Sequence, residues 1–73
     1  MANLDARGKS CPMPIVLIAK AMRDVSVGEG LFVRADDRAF PQDIEAWCKK
    51  TGNSLVSISA RPGYFEAEIR RGK

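Results

Sequence analysis

The apolar positions of this chain switch between a period of two and a period near 3.6, and the switches mark its elements. Asn3-Leu4-Asp5-Ala6-Arg7 alternates polar and apolar, the pattern of a short half-buried strand, and Gly8-Lys9-Ser10 reads as a turn. Between residues 12 and about 24, Ile15, Ile18, Ala19 and Met22 recur at the i, i+3, i+4, i+7 spacing of an amphipathic helix. Val16 and Leu17 widen that stripe, so part of this helix is expected to face a partner. Val27-Gly28-Glu29-Gly30 breaks it with a loop.

Residues 31–35 return to alternation, with Leu31, Val33 and Ala35 on one side. Asp36 and Asp37 then offer capping or loop carboxylates ahead of a second helix. In that helix Phe40, Ile44, Trp47 and Cys48 share one face. Lys49 and Lys50 suit its negative C-terminal end, and Gly52 supplies a left-handed stop. Val56, Ile58 and Ala60 alternate with Ser57, Ser59 and Arg61; past Pro62-Gly63, Phe65, Ala67 and Ile69 alternate with Glu66, Glu68 and Arg70. Two such runs around a Pro-Gly turn read as a β-hairpin.

The order is therefore β-α-β-α-β-β. A right-handed first crossover places its helix on the sheet. The expected fold class is α+β: a two-layer sandwich with two helices packed on one face of a four-stranded mixed sheet. The opposite face is expected to show Asn3, Asp5, Phe32, Arg34, Leu55, Tyr64, Glu66 and Glu68, with Phe32, Leu55 and Tyr64 forming a small apolar patch.

Length and composition narrow the classes that remain. Seventy-three residues, 45% hydrophobic and 29% charged, leave room for one domain over residues 1–73 with a modest core. Twelve basic against nine acidic residues give a net charge of +3. Arg61, Arg70, Arg71 and Lys73 gather toward one end, which reads as solvated surface or as steering for an acidic partner. Nucleic-acid binding wants aromatics interleaved with such charge. Only Tyr64 and Phe65 lie near, and Phe65 belongs to the core pattern, so direct nucleic-acid binding is not expected.

No apolar run approaches the ~20 residues of a membrane span. The first residues show no charged lead and apolar stretch of a secretory signal, so a cytoplasmic location is expected. Two cysteines and no histidine cannot build a disulfide framework or a four-ligand zinc site, and no metal or cofactor is expected. A Ser–His or Cys–His nucleophile pair is excluded for the same reason.

The segment that carries chemistry is Cys11-Pro12-Met13-Pro14. Proline is tolerated in the first turn of a helix, so Pro12 and Pro14 place Cys11 at or beside the N-cap. Helix N-termini stabilise thiolates, and Arg7 and Lys9 are near enough in sequence to tune the charge or to contact a partner. The expectation is a lowered thiol pKa, supported by the first turn of Pro12, Met13 and Pro14. A poised thiolate without a general base suits attack on sulfur better than hydrolysis. Buried free cysteines are common, which leaves open a plain helix cap at Cys11. Cys48, in the Phe40/Ile44/Trp47 stripe, reads as a packing thiol.

Leu4-Asp5-Ala6-Arg7-Gly8 followed by Cys11-Pro12-Met13-Pro14 resembles the N-terminal signature of the TusA/SirA-like sulfur-carrier family. The resemblance continues through Lys20-Ala21, Gly28, Ala35-Asp36-Asp37, Asp43-Ile44, Trp47-Cys48 and Gly52. It implies a β-α-β-α-β-β two-layer fold and a persulfide carried on the Cys-Pro-x-Pro cysteine, here Cys11. It also implies a donor protein, a cysteine desulfurase or a rhodanese, and an acceptor in tRNA thiolation, cofactor synthesis or sulfur oxidation. Lys9 stands where the family commonly has an apolar residue, and Asn53 where a histidine is often found.

Two other functional classes stay in view. One is a non-catalytic regulatory or interaction module whose basic surface contacts nucleic acid or a regulator, which predicts a buried, unreactive Cys11. The other is a thiol–disulfide protein, which requires Cys11 and Cys48 to meet. A monomer is the expected state.

Overall fold

The computed structural model describes residues 2–73. Its elements are β1 (Ala2–Asp5), α1 (Met13–Met22), β2 (Gly30–Ala35), α2 (Phe40–Thr51), β3 (Ser54–Arg61) and β4 (Tyr64–Arg70). The strands form one mixed sheet in the order β1-β2-β4-β3. β1 runs parallel to β2, with Asn3 opposite Phe32 and Asp5 opposite Arg34. β4 is antiparallel to both of its neighbours. This is the two-layer β-α-β-α-β-β arrangement that the hydrophobic periods predict.

The core lies between the sheet and the helices. Ile18 and Met22 of α1 and Phe40, Ile44 and Cys48 of α2 meet Leu31, Val33, Ala35, Ala67 and Ile69 from the two central strands. Burying a side chain such as Phe40 or Ile44 contributes about 1.5–3 kcal/mol. Pro41 lies in the first turn of α2, where a missing amide hydrogen costs nothing. Gly52 stops the helix at φ 78°, its N–H donating to the Cys48 carbonyl at 3.0 Å.

α1 ends differently. It has no glycine stop; its C-cap is Arg23 in right-handed helical geometry, followed by tightened i→i+3 bonds through Val25. The loose carbonyls are taken by Arg71, whose guanidinium donates to the oxygens of Met22 at 3.3 Å and Val25 at 2.6 Å. A cation at a helix C-terminus also opposes the dipole there. Arg71 is therefore a clamp on the first helix, whereas its place in a basic terminal cluster suggests a solvated side chain. Asn53 holds the next residue, its Oδ1 accepting from the Gly72 N–H at 3.0 Å.

The outer strand β3 departs from strict alternation. Its pairing with β4 shifts between Leu55 and Ser57, so Val56 is an extra residue, a β-bulge. Leu55 opposite Ile69 and Ile58 opposite Ala67 both pack against the core, while Val56 is 48% exposed. The expected apolar patch of Phe32, Leu55 and Tyr64 therefore does not form. The open face of the sheet instead carries ion pairs: Arg34 and Arg61 each lie 3.3 Å from Glu66, and Arg70 lies 3.6 Å from Glu68.

Candidate functional site

Because β1 and β2 are parallel, the loops that follow them leave the sheet at the same end. The first carries Cys11 into α1, and the second carries Asp36 and Asp37 into α2. The Ala6 N–H donates to the Arg34 carbonyl at 2.7 Å, extending the pairing past β1. Gly8, at φ 82°, then turns its N–H onto both carboxylate oxygens of Asp36, each at 3.0 Å. Asp36 is thus a strap between the two loops. Asp37 orders its own loop, accepting from the Ala39 N–H at 3.2 Å. The N-cap of α2 is Ala39, so neither aspartate caps that helix.

Cys11 stands one residue before the α1 N-cap, which is Pro12, and the Cys11–Pro12 peptide is cis. Met13 and Pro14 form the first turn, and the buried Pro14 seats it against the core. The sulfur-bearing residue is exposed, and the first turn adds an apolar rim: Met13 and Val16 are each 43% exposed and share a helix face. Lys9 is exposed in the same loop.

The electrostatics at Cys11 run opposite to the expectation of a lowered pKa. A hydrogen bond to the Asp43 side chain pushes the thiol up; desolvation, and after it the negative charges of Asp43 and Asp37, push the same way. The helix end offers little against this. Pro12 and Pro14 have no amide hydrogen, and the Met13 N–H is already given to the Ser10 carbonyl at 2.8 Å. Arg7 is held elsewhere: its guanidinium pairs with Asp5 at 2.8 Å and sits 5.4 Å from the Tyr64 ring centroid. That hydrogen-bonded pair draws the Asp5 carboxyl down to about 2.

Asp43 is the site residue that the reading of Cys-Pro-x-Pro did not single out, although its Asp-Ile pair belongs to the block that resembles the family. Cys48 faces the core with 3% exposure, and burial alone pushes its thiol up. Both thiols are free, one exposed and one buried, and no disulfide joins them. Among the described residues, no group of His, Cys, Asp and Glu side chains is placed to hold a metal, and no helix is long and apolar enough to cross a membrane.

Known proteins share both the sequence and the shape. Residues 2–71 match the family model described as "Sulfurtransferase TusA". The Bacillus subtilis "Putative sulfur carrier protein YrkF" is 41% identical over 94% of this chain, which spans only 37% of that protein's length. An Archaeoglobus fulgidus "Putative sulfur carrier protein" is 34% identical over the whole of both chains. The crystal structure of a SirA-like protein from Desulfitobacterium hafniense superposes over the full length of both chains with a TM-score of 0.83, at 24% identity. That structure has the same fold. With its sequence match running through the strands, both helices and the Cys11 turn, this chain belongs to the TusA family.

Proposed function

We propose that this chain is a sulfur carrier that holds sulfane sulfur as a persulfide on Cys11 and hands it to an acceptor protein. The observation that supports this reading is an exposed cysteine on a proline-stiffened turn, rimmed by Met13 and Val16, in a chain of the TusA family.

Loading begins when the Cys11 thiolate attacks the outer sulfur of a donor persulfide, R–S–SH. The donor's S–S bond breaks, a new one forms as Cys11–S–SH, and the donor leaves as a thiolate that takes up the proton Cys11 gave away. Sulfur stays at the sulfane level, so no oxidant or reductant is consumed. Unloading repeats the step with an acceptor thiolate attacking the outer sulfur, which returns Cys11. Proximity in the docked pair supplies the rate, because the chain contributes no histidine base. A cysteine desulfurase or a rhodanese is the class of donor, and a sulfur-relay protein the class of acceptor.

Intact-mass spectrometry after incubation with a desulfurase and cysteine tests this. The expected result is a reductant-sensitive gain of one sulfur atom, mapped to Cys11 and absent from Cys11→Ser. Sulfur loading that survives in Cys11→Ser, or a wild-type chain inert to desulfurase, rhodanese and polysulfide alike, overturns the reading.

A further inference from the structure

The stretch from Arg7 to Met13 runs between two buried anchors, Ala6 beside β2 and Pro14 in the first turn of α1, and every residue within it is exposed. Core packing therefore holds its two ends and not Cys11 itself. Of the backbone N–H groups along it, that of Arg7 goes to Asp5 at 3.1 Å and that of Met13 to Ser10 at 2.8 Å, both local. That of Gly8 goes to Asp36, 28 residues further on.

Asp36 is anchored where a tether needs to be. It is the first residue past β2, a strand paired on both sides, and Ala35 just before it is fully buried. Both of its carboxylate oxygens lie 3.0 Å from the Gly8 nitrogen, and the N-cap of α2 is Ala39, so helix capping does not account for it. Gly8 stands at φ 82°, in the left-handed region that glycine enters without steric cost.

We infer that Asp36 is a positioning residue for sulfur transfer: by accepting from the Gly8 N–H it ties the Cys11 loop to the sheet and sets where the sulfur stands when a donor or acceptor protein docks. This rests on Cys11 being the residue that carries sulfur. Attack on an S–S bond needs the reacting atoms about 3–3.5 Å apart and aligned, and a misplacement of about 1 Å costs up to about 10²-fold in rate. A protein donor presents its persulfide on a surface of fixed shape, so it depends on where Cys11 stands. A small polysulfide ion reaches the exposed sulfur wherever the loop carries it.

The test is the initial rate of persulfide formation on Cys11 against carrier concentration, with a cysteine desulfurase or a persulfidated rhodanese as protein donor and polysulfide as the small one. Asp36→Ala is expected to lower the maximal rate from the protein donor about tenfold or more, with the half-saturating concentration and the polysulfide rate within about threefold of wild type. Asp36→Asn, which keeps a side-chain oxygen for the Gly8 N–H, should recover most of the loss. Gly8→Ala loosens the same bond from the other side: the added Cβ meets nothing within 4 Å, and only the left-handed backbone is disfavoured. Its loss should resemble that of Asp36→Ala, and the double variant should lose little more, because both act on one contact. A nitroxide attached to Cys11, with Cys48 buried, gives a reading free of sulfur chemistry. Its resonance lines should sharpen in Asp36→Ala and Gly8→Ala and stay near wild type in Asp36→Asn.

A folded Asp36→Ala whose maximal rate stays within about twofold of wild type overturns the inference, as does a loss shared equally by polysulfide or one that Asp36→Asn does not recover. Should Asp36→Ala fail to fold by circular dichroism, Gly8→Ala decides by the same rates. A wild-type chain inert to every donor defeats the proposed function instead. The nitroxide spectra then judge Asp36 alone: sharpened lines support its role, and unchanged lines end it.

Discussion

Cys11 and Cys48 are both pushed above the ordinary thiol range, and for unlike reasons. At Cys48 the cause is burial: the side chain sits in the core face of α2 with 3% exposure, and no neighbouring charge takes part. At Cys11, an exposed residue, the leading cause is a neighbour, a hydrogen bond to Asp43; desolvation comes next, and the charges of Asp43 and Asp37 add to it. Burial is undone only by opening the fold, which draws on its whole stability. Neighbours can be displaced by another molecule at the surface. One thiol is therefore locked by the interior, and the other is held by contacts within a partner's reach.

The largest consequence is kinetic. Under native conditions Cys11 should be alkylated at least ~10³-fold faster than Cys48, whose labelling has to wait for opening of the core. Peptide-resolved mass spectrometry over a time course measures both; rates within about tenfold of each other would remove the contrast.

A smaller effect separates the two thiols by stability. Arg71→Met removes the donors that cover the Met22 and Val25 carbonyls at the end of α1, and should cost about 1–3 kcal/mol in urea unfolding. Cys48 labelling should accelerate in proportion, about tenfold for each 1.4 kcal/mol, while the pH midpoint of Cys11 alkylation stays in place. A Cys11 midpoint that moves with Arg71 would mean that both thiols answer to global stability.

The smallest effect concerns Arg7. Carboxyl NMR should find Asp5 titrating at about 2, and Arg7→Met should return it toward the ordinary ~3.9. Asp5 has a folded pKa below its unfolded value. Its contribution to stability is therefore present above ~3.9 and is lost as the pH falls through about 2. Arg7→Met should leave the alkylation midpoint of Cys11 unchanged; a rise would restore Arg7 as a charge that tunes the sulfur.

The order and type of every element can be read from the sequence, because each is long enough for its hydrophobic period to show. Phe40, Ile44 and Cys48 fall on one buried face as their spacing requires, and Gly52 ends the helix as its residue type suggests. What escapes is whatever depends on a single extra residue or on a distant one. Val56 is apolar and in phase with Ile58 and Ala60, so strict alternation sends it inward; the bulge resets the phase and puts Leu55 inside. Cys11 is visible from its own prolines, and the helix end beside it suggests a stabilised anion. Asp43 reverses that sign from another helix, and no local pattern announces which side chains two neighbouring loops will bring together. Arg71 is hidden in the same way, one arginine of a basic cluster until the carbonyls at the far end of α1 are in view.

The bulge at Val56 bears on how many copies of this molecule can share a solution. β3 is an outer strand, and a regular outer strand offers a row of unpaired amides and carbonyls on which a second sheet can grow. The additional residue bends that row and sharpens its twist, so a neighbour cannot follow it for its full length. The same irregularity that confounds the reading of the sequence is thus a guard against end-to-end stacking into fibres.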